Sequence, residues 1–230
     1  MRICGLQKLA MVDFPGKVAA TVFTGGCNLR CPFCHNAPLV NRPEEAERIG
    51  EGEVLSFLAQ RRGLLDGVVL SGGEPLLQEG VEAFLTRVRE LGYAVKLDTN
   101  GCYPQRLAEL LEAGLVDYVA MDIKNTPEKY PETVGCPGFD TAPVKESARL
   151  LMEGAVDYEF RTTAVKHFHT PQDIEAIGRW LAGARRYFLQ TFVDSGDLVG
   201  EGCAPFSPAE MGELAQKARP WFKSVEIRGI

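Results

Sequence analysis

The sequence contains no apolar run long enough to span a bilayer, and its opening, MRICGLQKLA, lacks the apolar stretch of a secretory signal. A membrane is therefore not expected as a partner, and the cytoplasm is the expected location. Positive charge is also scarce: 25 Lys and Arg face 31 Asp and Glu, a formal net charge of −6. Binding to nucleic acid draws on a basic surface, so that partner class is disfavoured. No linker or low-complexity tract interrupts the 230 residues, which read as one domain over 1–230. The seven cysteines are an odd number in a chain that is not small, so a disulfide framework is not expected.

What is present is a regular alternation. Short β-branched runs predict strands at KVAATVFTG (from Lys17), GVVLSGG (Gly67), AVKLDTNG (Ala94), DYVAMDIK (Asp117), DYEFRTTAV (Asp157), RYFLQTFV (Arg186) and SVEIRG (Ser224). Between them, EGEVLSFLAQRRG, LQEGVEAFLTRVRELG, PQRLAELLEAG, APVKESARLLMEG, TPQDIEAIGRWLAG and SPAEMGELAQKA carry apolar residues at helical spacing. Most open on Ser, Thr or Pro and close on Gly. Repeated βα units imply parallel strands covered by helices. About six such units without a Gly-x-Gly-x-x-Gly turn predict an α/β fold of the incomplete-barrel kind, a partial (β/α)6 TIM-like barrel, rather than a dinucleotide-binding sheet. Active sites of such folds lie at the C-terminal ends of the strands. There the chain carries GGCNLRCPFCHN, SGGEP, DTNG and MDIK.

Cys27, Cys31 and Cys34 stand in a C-x3-C-x2-C pattern with no fourth thiol nearby. The other four cysteines are isolated and read as small buried hydrophobes. A structural zinc site closes with four ligands, and here the fourth would be His35, a Cys3His arrangement, or a distant cysteine. An iron–sulfur cubane also takes four ligands, so three cysteines leave one iron open to a substrate or cofactor. Spacing alone leaves both open.

The cysteine pattern after the first predicted strand, together with SGGEP, resembles the radical S-adenosylmethionine (SAM) superfamily. The opening GLQKLAMVDFPGKVAATVFTGGCNLRCPFCHN, with LDTNG and MDIK, is similar to activating enzymes of glycyl radical enzymes. The similarity is greatest to activating proteins of anaerobic ribonucleoside-triphosphate reductase, with pyruvate formate-lyase activating enzyme as a cousin. This resemblance implies one [4Fe–4S] cluster on Cys27, Cys31 and Cys34, and SAM chelated at the open iron. It implies reductive cleavage of SAM to methionine and a 5′-deoxyadenosyl radical, fed by a flavodoxin or ferredoxin-type donor. The radical would take a glycine Cα hydrogen from a partner enzyme.

By the same resemblance Gly72, Gly73 and Glu74 cradle the SAM amino group, Phe33 and His35 lie near its adenine, and Asp122 and Lys124 reach its ribose or carboxylate. Arg161, inside an apolar strand, needs a partner such as the SAM carboxylate or Asp122. Gln190 stands where the cousin has a SAM-contacting His. A monovalent cation, Na+ or K+, would be held by Asp98, Thr99, Asp122 and the carbonyl of Ala120; a plain Asp–Lys pair is the alternative. Asp13 and Phe14, in VDFPG, match a segment near the bound peptide. His167 and His169 read as rim residues or as a solvent-facing loop. Two other classes stay open: a radical SAM enzyme acting on a small molecule or peptide, and a non-catalytic zinc or iron–sulfur module.

Overall fold

A computed structural model describes residues 1–194 and 196–229. They gather into two compact units. The first comprises Met1–Asn28, Pro38–Ala120 and Ala155–Asp157. It opens with an antiparallel hairpin of β1 (Ile3–Phe14) and β2 (Lys17–Thr24), in register at Ala10↔Ala19 and Phe14↔Lys17. The parallel strands β3 (Gly67–Gly72) and β4 (Ala94–Thr99) follow, with Ala20 opposite Val68 and Val68 opposite Val95. The Asp117 N–H donates to the Val95 carbonyl (2.9 Å) and leads into β5 (Tyr118–Asp122).

Strand β1 was not expected from the sequence. It is an antiparallel strand rather than part of a βα unit, it is broken by bulges, and its apolar residues follow no single period. Leu9, Met11 and Val12 are 58%, 74% and 84% exposed. The short helix α1 (Ala37–Asn41) was also unforeseen. The longer helices α2 (Glu51–Gln60), α3 (Val81–Glu90) and α4 (Pro104–Glu112) stand where expected. Helix α3 buries Val81, Phe84, Leu85 and Val88, the i, i+3, i+4, i+7 stripe that drives such a helix onto a sheet. Helix α4 starts on Pro104, whose missing N–H costs nothing in a first turn. The Tyr93 hydroxyl donates to the Leu58 carbonyl (2.7 Å), tying the entry of β4 to the end of α2.

The second unit comprises Leu29–Ala37, Met121–Gly154 and the chain from Tyr158 onward. After the single turn α5 (Tyr130–Thr133) come α6 (Ala142–Glu153), β6 (Asp157–Ala164), α7 (Pro171–Trp180), β7 (Arg186–Thr191), α8 (Pro208–Ala218) and β8 (Ser224–Arg228). Strands β6, β7 and β8 are parallel, with Thr163 opposite Gln190 and Gln190 opposite Arg228. Helices α7 and α8 each begin with a reciprocal capping box, Thr170 with Asp173 and Ser207 with Glu210, followed by proline. Glu159 is wholly buried in β6, and the Arg228 guanidinium grips both its oxygens (2.7 and 3.0 Å) while lying 3.4 Å over the Phe188 ring. A buried carboxylate needs such a partner.

The chain is thus an α/β fold with mostly parallel strands, and all seven expected strands and six expected helices are present. Among the described residues no helix is long and apolar enough to cross a membrane, and the seven cysteines form no disulfide.

Candidate active site

In the first unit, three sequence-distant segments meet at the strand ends. Strand β2 runs into Gly25–Cys27, β3 into Ser71–Glu74 and β4 into Asp98–Asn100. The Gly73 N–H donates to the Thr24 carbonyl (2.8 Å) and the Glu74 N–H to the Gly26 carbonyl (2.9 Å). The two glycines are required by this closeness. Gly72 has φ 122°, and a Cβ there would stand 2.3 Å from Thr24 backbone; a Cβ on Gly73 would stand 2.0 Å from the Gly26 oxygen. Their first duty is to let SGGEP lie against TGGC.

Glu74 completes the lock. Its side chain is fully buried. One oxygen accepts from the Leu76 N–H (3.0 Å) and the Thr99 hydroxyl (2.8 Å), the other from the Asn100 N–H (2.7 Å). Glu74 therefore organises the loops and presents no exposed carboxylate. Thr99 is committed in the same way: its hydroxyl serves Glu74 and accepts from the Gly101 N–H (3.1 Å). Asn100, quoted in the motif but assigned no role, donates its side-chain amide to Asn28 Oδ1 (2.9 Å) and to Cys27 Sγ (3.7 Å).

Asp98 has its own counter-charge, which the sequence reading passed over. The Lys96 ammonium, 2% exposed, is on Asp98 Oδ1, and the Ser71 hydroxyl donates to Oδ2 (3.1 Å). A lysine in the middle of the apolar strand AVKLDT was the available signal. Ala120 is buried in β5. Asp13 accepts from the Thr21 hydroxyl (2.6 Å), and Phe14 is a core residue packed with Ala19, Val69 and Tyr118. At 3% exposure, Phe14 offers no side-chain surface for a peptide.

In the second unit, the cysteine loop is fixed at several points. The Arg30 N–H donates to the Val134 carbonyl (2.9 Å), the Gly200 N–H to the Pro32 carbonyl (2.8 Å), and the Cys34 N–H to the Cys31 carbonyl (3.0 Å). Phe33 is buried against Phe168 (ring centroids 5.6 Å apart) and edge-on to His169 (6.5 Å), so it anchors the loop. His35 is exposed and stacks on Phe192 (5.5 Å). Asp122 sits between Arg161 Nε (2.9 Å) and Lys124 Nζ (3.0 Å), which answers what partners Arg161. Burial alone would raise the Asp122 pKa, but the two cations outweigh it and hold the carboxyl down at about 2. Burial likewise opposes the Lys124 charge. Asp122 first, then Cys31 and Cys34, overcome it and hold the ammonium well above its ordinary pKa.

His169 was expected at a rim or in solvent. It is 2% exposed, with Nε2 at 2.8 Å from the Lys124 carbonyl and Nδ1 accepting from the Val165 N–H (3.1 Å). Nδ1 also lies 3.3 Å from the Val165 carbonyl, and burial pushes the His169 pKa down. Asn125 adds a bond to the Phe168 carbonyl (2.9 Å), so the loops after β5 and β6 are locked together. His167 is exposed, and Gln190 is half-buried at the end of β7.

The sequence profile described as the Radical SAM superfamily matches residues 21–181. A Methanocaldococcus jannaschii protein named "Putative glycyl-radical enzyme activating enzyme MJ1227" is 32% identical over 236 residues, which is 99% of this chain and 96% of that protein. The chain belongs to the radical SAM superfamily, in its glycyl-radical enzyme activating branch. The pyruvate formate-lyase-activating enzyme of Clostridium pasteurianum is 34% identical over 147 residues, 60% of each chain. The crystal structure of Streptococcus suis SuiB bound to S-adenosylmethionine superimposes with a TM-score of 0.69 at 15% identity, over 88% of this chain and 48% of that one, and shows a shared fold.

A radical SAM enzyme works with SAM and a [4Fe–4S] cluster, and the donors present fit them. The Lys124 ammonium interacts electrostatically with Cys31 and Cys34, and the Asn100 amide donates to Cys27 Sγ (3.7 Å). Among the described residues no three His, Cys, Asp or Glu side chains gather tightly enough to hold a single ion. A cluster spreads its thiolates over separate irons and asks for no such convergence.

Proposed function

We propose that this protein is a radical SAM activase that installs a glycyl radical in a partner enzyme, working as one radical SAM domain in the cytoplasm. The observation that carries the reading is the match along nearly the whole of both chains to a relative named for glycyl-radical enzyme activation. The cysteine loop, with Cys27, Cys31 and Cys34, would hold the [4Fe–4S] cluster. When bound, the cluster and SAM supply the one-electron cleavage that yields methionine and a 5′-deoxyadenosyl radical able to take a glycine Cα hydrogen.

The chain's own residues do the rest. Gly72 and Gly73 bring the SGGEP backbone within reach of the methionine amino group, and Glu74 holds that backbone rigid from behind. The Asn100 amide donates toward the Cys27 sulfur, and Lys124 sets positive charge toward Cys31 and Cys34. Both favour the more negative, reduced state of a cluster held there. Arg161 and Lys124 keep Asp122 ionised at any physiological pH, ready to accept from the ribose or to orient the cofactor. His35 with Phe192, and Gln190, offer an aromatic face and an amide for the nucleoside. A flavodoxin or ferredoxin-type protein is the electron source, and the substrate is a glycine loop of anaerobic ribonucleotide reductase ahead of pyruvate formate-lyase.

The test is to incubate the anaerobically reconstituted, reduced protein and SAM with each glycyl radical enzyme of the same genome and record electron paramagnetic resonance spectra. A glycyl doublet on one of them is the expected result. Formation of 5′-deoxyadenosine with no doublet on any would move the assignment to a small-molecule or peptide substrate. Stoichiometric zinc in place of iron would leave only a binding module.

A further inference from the structure

The monovalent cation that the family resemblance implies does not fit the residues present. Lys96 and Asp98 are two apart on β4 and so lie on one face of the strand. The Lys96 ammonium occupies Asp98 Oδ1, and the Ser71 hydroxyl donates to Oδ2. The Thr99 hydroxyl, the neighbouring hard-oxygen ligand, is spent on Glu74. In the second unit, Asp122 is already neutralised by Arg161 and Lys124. A potassium or sodium ion entering at Asp98 would meet an ammonium of like charge. It would also strip that ammonium, 2% exposed, of its anionic partner.

We propose that Lys96 is a positioning residue that replaces the inorganic cation as the counter-charge of Asp98, so that neither the fold nor SAM binding draws on potassium or sodium. The inference rests on the SAM-binding reading of this site only for its second half. The counter-charge itself belongs to the cofactor-free protein. Lysine does here what a bound ion otherwise does, with the difference that it cannot dissociate. The carboxylate is therefore held in the same orientation whatever the salt.

The experiment uses the full chain with choline chloride as the reference salt, exchanged for potassium or sodium chloride at a constant ~0.1 M to keep screening fixed. Thermal unfolding of the cluster-free protein and SAM affinity of the reconstituted protein are both measured. The wild type is expected to show the same midpoint in all three salts and a SAM affinity constant within about twofold. Lys96→Met, which keeps most of the side chain's length and removes the charge, is expected to bind SAM about tenfold or more weakly in choline and to recover most of that loss in potassium or sodium. Recovery by an ion separates a missing charge from general damage to the fold. A wild type that binds SAM about tenfold more tightly in potassium or sodium than in choline would overturn the proposal. So would a folded Lys96→Met protein whose affinity ignores the ion. If Lys96→Met does not fold, the wild-type salt comparison still decides, since a midpoint raised by potassium or sodium over choline would show an inorganic cation at work. Failure of the wild type to bind SAM in every salt would instead count against the SAM-binding reading, with the unfolding comparison still standing for the counter-charge.

Discussion

Asp98 stands next to last in β4 and Asp122 last in β5, and the chain neutralises them in different ways. Asp98, in the first unit, is paired with one lysine from its own strand that is 2% exposed, and with a hydroxyl. Asp122, in the second, is 27% exposed between two cations, Lys124 two residues on in its own chain and Arg161 on β6. The first arrangement is a closed pair in which each member depends on the other. The second is open and redundant: either cation can go and the carboxylate keeps one partner and some water. A closed pair is sensitive to loss of a member because the survivor is a buried charge. An open one is tuned for contact with something that arrives.

That difference is broken most directly at Asp98. Asp98→Asn keeps the shape and leaves Lys96 buried without an anionic partner. The expected loss is about 3–5 kcal/mol of unfolding free energy, the range for orphaning one member of a buried ion pair. Urea titration of the cluster-free protein measures it. A loss below about 1 kcal/mol would place this pair among surface salt bridges instead.

Asp122→Asn is the matching test of the open arrangement and should cost less, about 1–3 kcal/mol, because it removes charge-assisted hydrogen bonds beside solvent. Its pH signature is specific. The folded carboxyl titrates at about 2, below the ordinary aspartate value of about 3.9. The native state therefore releases its proton more readily than the unfolded state. The stabilisation is complete above about pH 4 and is lost as pH falls towards 2. Urea midpoints across that window should slope less in the Asn variant than in the wild type. Equal slopes would mean that other carboxylates carry the acid sensitivity.

The same contrast explains how far the sequence could be read. The βα alternation and all its long elements were legible because apolar period and end signals agreed, as in α7 with its Thr-Pro start. Strand β1 was not, because a bulged antiparallel strand with exposed Leu9, Met11 and Val12 has no clean period. In the site, the cysteine spacing and SGGEP pointed to the radical SAM family, which the profile match shows, because those motifs are local in sequence. The supports were not: Glu74 as a buried lock, Lys96 as the ion-pair partner of Asp98, His169 as a loop clasp. Each depends on a partner contributed by another segment or on burial, and residue type alone reports neither. Asp13 and Phe14 show the converse, a motif match whose side chains turn into a Thr21 contact and the core.

The loop clasps of the two units can be compared like their carboxylates. The first unit uses the buried Glu74 carboxylate with backbone and hydroxyl donors, the second a neutral imidazole. His169→Ala removes two buried hydrogen bonds and should cost about 1–3 kcal/mol. Burial depresses its pKa, so the unfolded state takes up a proton more readily than the native one. The wild type gains stability as pH rises to the unfolded value of about 6.5 and loses it below. The Ala variant should lack that portion of the slope, and a slope unchanged between the two would show that His169 takes up its proton alike in the folded and unfolded states.

The smallest effect is expected at Asn100, beside the cluster proposed for the three cysteines. Cys27 has an amide donor 3.7 Å from its sulfur, whereas Cys31 and Cys34 have the Lys124 charge. A donor to a thiolate stabilises the reduced cluster more than the oxidised one, because the reduced cluster is the more negative. Asn100→Leu should therefore lower the cluster's reduction potential while leaving iron content unchanged. A long hydrogen bond to sulfur is weak, so the shift should stay below about 59 mV, the equivalent of a tenfold change in a one-electron equilibrium. Lys124→Met, which removes a full charge, should lower the potential further. Redox titration followed by electron paramagnetic resonance ranks the two variants. A larger shift from Asn100→Leu than from Lys124→Met would mean that direct hydrogen bonding at Cys27, rather than charge near the other two cysteines, sets the potential.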